Sequence, residues 1–419
     1  MKILVNFNEY LGGGETLVIR MFEEIPELPA LVITSKDSYI SKNIPPEYLC
    51  EYSGSSDFDY LNSEKKEKFY QWFDSVLPEK THLQFVTFCM RDLHIINSFI
   101  RVRGISNYSI THLLLHPLDH LYLCQSLPDK ILLSFFGIAK YSMKRNRESN
   151  ALLLKSLNES NSLIPMNNNV LTRLYRDTGI VIEPKKIIPL PYLKDTDDCF
   201  EWNRPKLEDA KRIVWLGRIV DFKLPSILAM IDFVAKNKSY YFDIVGYGNE
   251  KVINRHISKF DSELASRVRL LGAIPHDSLS STLSQYDIGY GMGTSIVELT
   301  RYGLPTIVAL ASPDYKLFRR TICGGLVYDQ VEGNVGDDLY DNAEQDFASI
   351  EDTINRILYD EGSLEKSICY IRSVFSFTTN MKRYFQVINN VKELSLPHID
   401  MKIGLLKRMV FLWKEKNEK

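Results

Sequence analysis

Short apolar runs alternate with helical segments along most of the chain, beginning with the run 3–7 and the helical pattern over 15–24. Further apolar runs of strand length occur at 30–34, 85–89 and 111–115, and later at 212–216, 241–245, 268–271, 287–290 and 306–309. Strands that alternate with helices in this way predict parallel sheets covered by helices. The pattern therefore predicts an α/β fold.

One polar, proline-containing stretch, at 191–210, interrupts this alternation, and a fresh strand begins directly after it. With 419 residues, and about 150 residues per domain, the chain is long enough for two or three domains. We therefore predict two Rossmann-like domains at 1–190 and 211–372, with residues 191–210 as the linker between them. A helix within 373–394 and a basic, apolar-striped tail at 395–419 follow.

Charge and composition narrow the possible partners. The sequence has 51 Lys and Arg against 53 Asp and Glu, a net charge of −2, so no overall field attracts nucleic acid and we expect none as a partner. No apolar run approaches the roughly 18 residues that span a bilayer. The first residues, MKILVNFNE, carry Asn and Glu where a secretion signal needs unbroken apolar residues. The six cysteines form no CxxC pair, so we expect a cytoplasmic protein without a metal site.

Open parallel sheets bind ligands at the carboxyl ends of their strands, so the loops after strands are the places to search. The first strand is followed by Gly12-Gly13-Gly14-Glu15, whose backbone N–H groups at a helix start could approach a phosphate closely. A tight turn without a ligand is the alternative there. The strand 212–216 is followed by Gly217-Arg218 and then Lys223. Two cations in one loop suit a diphosphate, although two ordinary surface charges are the alternative.

Two more strands end in glycine loops, Gly246-Tyr247-Gly248 and Gly272-Ala273-Ile274, which by themselves could be ordinary turns. The most specific stretch is Tyr290–Glu298. Its small residues Gly293-Thr294-Ser295 mark a helix start, where unpaired N–H groups and the helix dipole favour an anion. Glu298, one turn into this helix, could then accept hydrogen bonds from sugar hydroxyls, whereas an exposed helix glutamate is the ordinary alternative.

In order and spacing, these loops resemble the GT-B glycosyltransferases, in particular the retaining, nucleotide-sugar-dependent family 4, over about residues 1–390. The matching segments are the family's Gly-Gly-Ala-Glu loop, its Gly-Arg…Lys diphosphate clamp, two glycine loops and its Glu-x7-Glu signature, found here at Gly12–Glu15, Gly217–Lys223, Val245–Gly248, Leu271–Pro275 and Tyr290–Glu298. The resemblance implies two domains facing each other across a cleft, with the last helix crossing back onto the first domain. Phe375-Ser376-Phe377, followed by a helix over 380–391, suits that crossing.

The resemblance also implies a role for each matching residue. Arg218 and Lys223 would bind the leaving diphosphate, and Glu298 would hold the donor ribose. The remaining donor-binding residues would be Gly12, Gly13, Gly246, Gly293, Thr294 and Ser295, with nucleobase contacts through the backbone of Ala273 and Ile274. No metal or other cofactor is expected, because the cation pair can itself stabilise the leaving group.

One position departs from the family's signature, and one segment offers two candidate histidines. The first glutamate of the signature is Tyr290 here, and a neutral phenol cannot replace a carboxylate as a charged acceptor, which puts donor-sugar selectivity in doubt. The segment 111–117 resembles the strand that carries an active-site histidine in the family. We choose His116 because it lies at the end of the strand, whereas His112 lies at its start. A structural histidine is the alternative.

The function expected from the resemblance is transfer of a hexose, with retention of configuration, from a nucleotide-diphosphate sugar to a glycan or lipid-linked glycan in bacterial surface polysaccharide synthesis. Two other classes remain open. One is a nucleotide-sugar epimerase of the same fold, which would turn over without an acceptor. The other is a catalytically silent GT-B partner subunit, which Tyr290 favours and the set Arg218, Lys223 and Glu298 disfavours.

The end of the chain carries its own signal. From 402 to 419 the side chains give six cations and two anions, and Ile403, Leu406, Val410 and Trp413 fall on one helical stripe. A basic amphipathic helix with a Trp suits the interface of an anionic membrane, which predicts peripheral contact with the inner face of the membrane. Packing of the same stripe on the first domain or on a second subunit is the alternative.

Overall fold

The computed structural model describes residues 1–9, 13–24, 30–54, 58, 61–77, 82–122, 137–194, 211–312, 321–331, 333–338, 347–391 and 396–397, with only the backbone at 30 and 137–143. The chain forms two compact units. The first contains residues 1–188 together with those from 381 onward, and the second contains residues 189–380. Most of the predicted linker 191–210 lies outside the described residues.

The first unit contains a six-stranded parallel sheet in the order β3-β2-β1-β4-β5-β6. Its strands are β1 Lys2–Asn6, β2 Ala30–Ser35, β3 Leu49–Tyr52, β4 Leu83–Thr87, β5 Tyr108–Leu114 and β6 Leu163–Pro165. Its described helices are α1 Gly13–Glu23, α2 Ser63–Val76, α3 Met90–Arg103, α4 Gly137–Glu159 and α5 Asn168–Thr178. Every residue of β1 and β5 is buried, as expected for strands with helices on both faces.

The second unit contains a five-stranded parallel sheet in the order β11-β10-β7-β8-β9. Its strands are β7 Lys211–Leu216, β8 Tyr240–Val245, β9 Val268–Gly272, β10 Ile288–Gly291 and β11 Thr306–Val308. Its helices are α6 Leu224–Lys236, α7 Glu250–Ile257, α8 Ser262–Arg267, α9 Leu279–Leu283, α10 Thr294–Arg301, α11 Ile350–Tyr359 and α12 Ser363–Val374. Short strand pairs at 310–311 with 337–338, and at 322–323 with 348–349, lie outside the main sheet.

Because all five strands of the second sheet are parallel, their carboxyl ends lie at one edge. The register sets Gly291 beside Leu216, and Leu216 beside Val245, so the loops after β10, β7 and β8 begin side by side. Beneath that edge the core contains the buried aromatic residues Trp215 and Phe242. The chain order of the strands thus brings together loops that are far apart in sequence.

The last described helix, α13 Phe377–Asn390, starts in the second unit and continues in the first. In the first unit the buried Tyr384 donates its hydroxyl hydrogen bond to the carbonyl oxygen of Ile188 at 3.1 Å. The predicted tail 395–419 lies outside the described residues except for 396 and 397. Within the described part of the chain, no helix combines the length and apolar character needed to cross a bilayer.

Candidate functional site

Backbone hydrogen bonds connect three of the four loops at the carboxyl edge of the second sheet. The loops after β7 and β8 are joined by the N–H of Ile219, which donates to the carbonyl of Tyr247 at 2.8 Å. The loops after β8 and β9 are joined by the N–H of Gly246, which donates to the carbonyl of Gly272 at 2.8 Å. After β10, the N–H of Gly293 donates to the carbonyl of Val335 at 2.6 Å. The first two bonds hold the loops after β7, β8 and β9 together, and the third ties the start of α10 to the segment at Val335.

Gly246 is required by packing. Its φ is +150°, and a Cβ built on it would lie 2.0 Å from the carbonyl oxygen of Gly217. No other residue fits without moving one of the two loops. Gly293 also has positive φ, at +75°, but a Cβ there would meet nothing within 4 Å. The space over Gly293, at the start of α10, is therefore open.

Two polar groups converge beside Gly217. A Cβ built on this glycine would lie 3.2 Å from Oγ of Ser295 and 3.6 Å from Nζ of Lys223. Desolvation by burial, together with the smaller effect of the neighbouring Arg218, lowers the pKa of Lys223 to about 8. Among the described residues, neither Lys223 nor Arg218 forms an ion pair with a carboxylate. An anion bound here would supply the missing counter-charge.

The first turn of helix α10 also lies beside Gly217. Gly293 caps the helix, and Thr294 and Ser295, both half-buried, are its first two residues. The N–H groups of a first turn have no partner within the helix, and the dipole there is positive. Gly217 lies beside this first turn, and the next residue, Arg218, is exposed. The loop after β7 and the start of α10 therefore present a cationic surface that can donate hydrogen bonds.

Glu298 is buried, not exposed as the alternative interpretation supposed, and only 6% of its surface reaches solvent. Its Oε1 accepts a hydrogen bond from the hydroxyl of Tyr192 at 2.6 Å. The side chains of His276 and Arg301 approach the same oxygen at 3.9 Å each. The other oxygen, Oε2, is buried and has no hydrogen-bond partner among the residues that the structure describes. A buried acceptor without a donor is costly, so Oε2 is the natural place for a ligand hydroxyl.

The predicted nucleobase-contacting pair lies beyond β9. Ala273 is exposed, whereas Ile274 is half-buried and packs on the apolar cluster that contains Val245 and Leu279. Gly272 has φ of +73°, a conformation that glycine adopts readily. The packing of Ile274 therefore anchors the loop that carries both residues.

Tyr290 lies in the core and does not face the loops. It is fully buried, its ring packs edge-on against Trp215 at 5.4 Å between centroids, and its hydroxyl donates to the carbonyl of Ser226 at 3.2 Å. Burial also raises the pKa of Tyr290. Tyr290, which stands at the first glutamate of the signature, therefore fills the core beneath the sheet edge.

In the first unit, Gly13 is exposed at the start of α1, and Gly12 lies outside the described residues. Glu15, the last residue of the glycine run, is buried. Its Oε1 accepts hydrogen bonds from the side-chain amides of Asn8 at 2.7 Å and Asn6 at 3.4 Å. Glu15 therefore ties the start of α1 to Asn6 and Asn8 at the end of β1.

His116 is exposed just after β5, and its Nδ1 accepts a hydrogen bond from the N–H of Leu118 at 3.1 Å. Desolvation by the surrounding protein lowers the pKa of His116, and the Asp119 carboxylate opposes that shift. A neutral ring that accepts at Nδ1 carries its proton on Nε2. His112 is fully buried within the strand, where its Nδ1 is paired with Oγ1 of Thr87 at 2.9 Å.

Sequence reasoning missed several polar residues near this edge of the first sheet. Asp119 accepts hydrogen bonds from the N–H of Met90, at the start of α3, at 3.1 and 3.2 Å. Burial raises the pKa of Asp92 to about 6, although the nearby Arg91 guanidinium opposes this. Arg91 in turn donates to Oδ1 of Asn8 at 2.7 Å. Residues 89–92 follow β4, so a search of every loop after a strand would have found them.

In the second unit the residue missed is Tyr192, whose hydroxyl contacts Glu298. No sequence pattern pairs two residues separated by 106 positions. As to metals, the described residues contain no group of three or more His, Cys, Asp or Glu side chains placed to hold an ion.

No protein-family model and no curated protein sequence matches this chain. Solved structures do share its fold, at 13–14% sequence identity. Sucrose-phosphate synthase from Thermosynechococcus elongatus has a TM-score of 0.59 at 14% identity, with 93% of this chain and 98% of that chain covered. Anabaena HepE in complex with UDP-glucose has a TM-score of 0.55 at 14% identity, with 93% and 99% covered. A glycosyltransferase from Rickettsia africae has 0.56 at 13% identity, with 93% and 98% covered. These likenesses confirm the predicted GT-B class of fold.

Proposed function

We propose that this chain transfers a sugar from a nucleotide-diphosphate sugar to a glycan acceptor, and that its second unit binds the donor. The observation that carries the proposal is the cationic surface around Gly217, where Lys223, Ser295 and the first turn of α10 converge. A lysine that is desolvated without a counter-ion is unfavourable unless a ligand brings negative charge. A diphosphate at a helix N-terminus meets that need.

The shared fold supports this choice of ligand. The structure of Anabaena HepE is a complex with UDP-glucose, and the Rickettsia africae protein is named as a glycosyltransferase. Fold alone does not define function, so the residues of the site carry the assignment. Glu298 adds the second element, because its unpartnered Oε2 can accept a hydrogen bond from a ribose hydroxyl.

In the proposed reaction, the bond between the anomeric carbon and the diphosphate oxygen breaks, and an acceptor hydroxyl forms the new glycosidic bond. Negative charge grows on the leaving diphosphate as that bond breaks. Arg218, Lys223 and the N–H groups of Thr294 and Ser295 would stabilise it, which is the electrostatic contribution usually largest in such transfers. The acceptor hydroxyl loses its proton as the new bond forms, and that proton passes to an oxygen of the leaving diphosphate or to solvent.

The finer parts of the proposal come from the resemblance. They are retention of configuration, independence of a metal ion, and a contact between His116 and the donor sugar. They also include a glycan or lipid-linked acceptor in bacterial surface polysaccharide synthesis. Each can be tested separately: the product anomer by NMR, the metal by activity in excess EDTA, and the histidine by His116→Ala.

The test of the main proposal is a thermal-shift panel of UDP-, GDP-, ADP- and CMP-sugars. A ligand that binds only the native state stabilises it by RT ln(1 + [L]/Kd), so one class should raise the melting temperature. Lys223→Met keeps most of the length of the side chain without its charge, and we expect it to lose most of that shift. Lys236→Met, at the exposed far end of α6, the helix that begins directly after Lys223, is the matched control and should keep it.

The two alternative functions, a nucleotide-sugar epimerase and a catalytically silent partner subunit, would give different results with the same samples. Turnover of the donor in the absence of any acceptor would indicate an epimerase. Absence of a shift with every nucleotide sugar would contradict the proposal and favour a silent partner. If a donor binds, Arg218→Ala should lower kcat more than it raises KM, because the charge that Arg218 meets grows in the transition state.

A further inference from the structure

Tyr192 stands out among the residues around Glu298 because it makes the shortest contact with that carboxylate. Its hydroxyl lies 2.6 Å from Oε1, a short hydrogen bond of the charge-assisted kind. His276 and Arg301 are each 3.9 Å from the same oxygen, beyond hydrogen-bonding distance. Tyr192 therefore determines how the carboxylate of Glu298 is oriented.

The backbone of Tyr192 is itself held firmly. The N–H groups of Tyr192 and Leu193 both donate to the carbonyl of Phe375, at 3.1 and 2.9 Å, and the N–H of Phe377 donates back to the carbonyl of Leu193 at 2.7 Å. The ring of Tyr192 packs against an apolar cluster that includes Ile296 from α10. The hydroxyl thus comes from a rigid segment on the same unit as Glu298.

A carboxylate held at one oxygen presents the other in a fixed direction. The torsion next to a carboxylate is otherwise broad, so an unheld Glu298 would sample many orientations. Here Oε1 accepts the hydrogen bond of Tyr192, whereas Oε2 is buried and no group in the described part of the chain donates to it. An acceptor that is positioned in advance binds a hydroxyl without the cost of ordering the side chain.

We propose that Tyr192 is a positioning residue that directs Oε2 of Glu298 to the ribose hydroxyls of the nucleotide, and so makes the site selective for ribonucleotides. This inference rests on the proposed function, since it needs a bound nucleoside diphosphate. Tyr192 acts through Glu298 and takes no part in the transfer itself.

The test compares affinities by calorimetry for UDP, GDP and ADP and for their 2′,3′-dideoxy counterparts. Wild-type protein should bind the ribonucleotide about tenfold or more tightly, because the dideoxynucleotide lacks the hydroxyl that donates a hydrogen bond to the charged Glu298. Tyr192→Phe should lower ribonucleotide affinity by roughly three- to tenfold and change dideoxy affinity less than twofold. Tyr370→Phe is the matched control, since Tyr370 packs on the same apolar cluster but donates to Gln330 and Val331. It should leave the preference unchanged.

The outcomes separate this inference from the proposed function. If Glu298→Ala loses the ribose preference while Tyr192→Phe keeps the wild-type preference and affinity, the positioning role is refuted and the proposed function stands. If wild-type protein binds none of the three diphosphates, the proposed function fails and this inference fails with it. Equal losses for ribo- and dideoxynucleotides in Tyr192→Phe would mean that the tyrosine supports only the fold, which also refutes the positioning role.

Discussion

Raising the pH above 8 should weaken the binding of nucleoside diphosphates through Lys223. Desolvation, followed by the proximity of Arg218, lowers the pKa of this lysine to about 8 in the protein without ligand. A bound diphosphate favours the charged form of the lysine, so binding and protonation are linked. Affinity should therefore be constant below the lowered pKa and fall as the pH rises through it.

The size of the effect follows from that pKa. The protonated fraction of Lys223 falls from about nine-tenths at pH 7 to about one-tenth at pH 9. Because the neutral amine cannot pair with the diphosphate, the dissociation constant should rise about tenfold over this range, or about 1.4 kcal/mol. A lysine with an ordinary pKa near 10.4 would show almost no change there.

The assay is titration of the protein with UDP, GDP and ADP at half-unit steps from pH 7 to 9.5. The ratio of wild-type to Lys223→Met affinity removes ionisation of the nucleotide itself from the comparison. Lys223→Arg, which keeps its charge throughout, should bind with a flat ratio. A wild-type ratio that stays constant and well above one from pH 7 to 9.5 would refute the lowered pKa, and a ratio that stays near one would refute the place of Lys223 at the diphosphate.

Four other outcomes are expected. Glu298→Ala should weaken nucleoside diphosphate binding about tenfold or more in a folded protein, and unchanged affinity by calorimetry would contradict its assignment. Gly246→Ala should lower the free energy of unfolding by at least about 2 kcal/mol in urea, because its Cβ would lie 2.0 Å from a carbonyl oxygen. Gly13→Ala, with nothing within 4 Å of its Cβ, is the control, and equal losses would count against the packing argument. Since burial raises the pKa of Asp92 to about 6, the folded state binds more protons than the unfolded state between about pH 4 and 6, and stability from this group falls as the pH rises through that window. Asp92→Asn should lack this part of the slope in urea unfolding at pH 4.5 to 7, and an identical slope would contradict it. Truncation after Leu394 should abolish sedimentation with anionic liposomes at unchanged melting temperature, whereas a large drop in melting temperature would show that the tail is structural.

Most strands could be predicted from the sequence, because strands of a parallel sheet are buried on both faces and therefore consist of short, nearly continuous apolar runs. The nine predicted runs lie within three residues of strands in the structure. Strands β3 and β6 were not predicted. The residues of β3, Leu49–Tyr52, are half-buried or exposed at the sheet edge, and β6, Leu163–Pro165, has only three residues, so neither gives a clear apolar run.

The grouping of Gly217, Lys223 and Ser295 was also predictable, because parallel strands bring the loops after them to one edge. Chain order alone is enough for that inference. It needs no knowledge of where any side chain points, only that each of these residues follows a strand.

Only the tertiary structure decided the surroundings of individual side chains. Successive residues of a strand point to opposite faces of the sheet, and Tyr290 lies on a face that is buried in the core. The neighbouring helices determine which face that is. The partner of Glu298, Tyr192, comes from a segment 106 positions earlier that is held by Phe375. The lowered pKa of Lys223 likewise depends on the atoms that exclude water from it. Contacts and desolvation of this kind arise from residues distant in sequence, so a local pattern determines where the elements and loops lie but not what each side chain meets there.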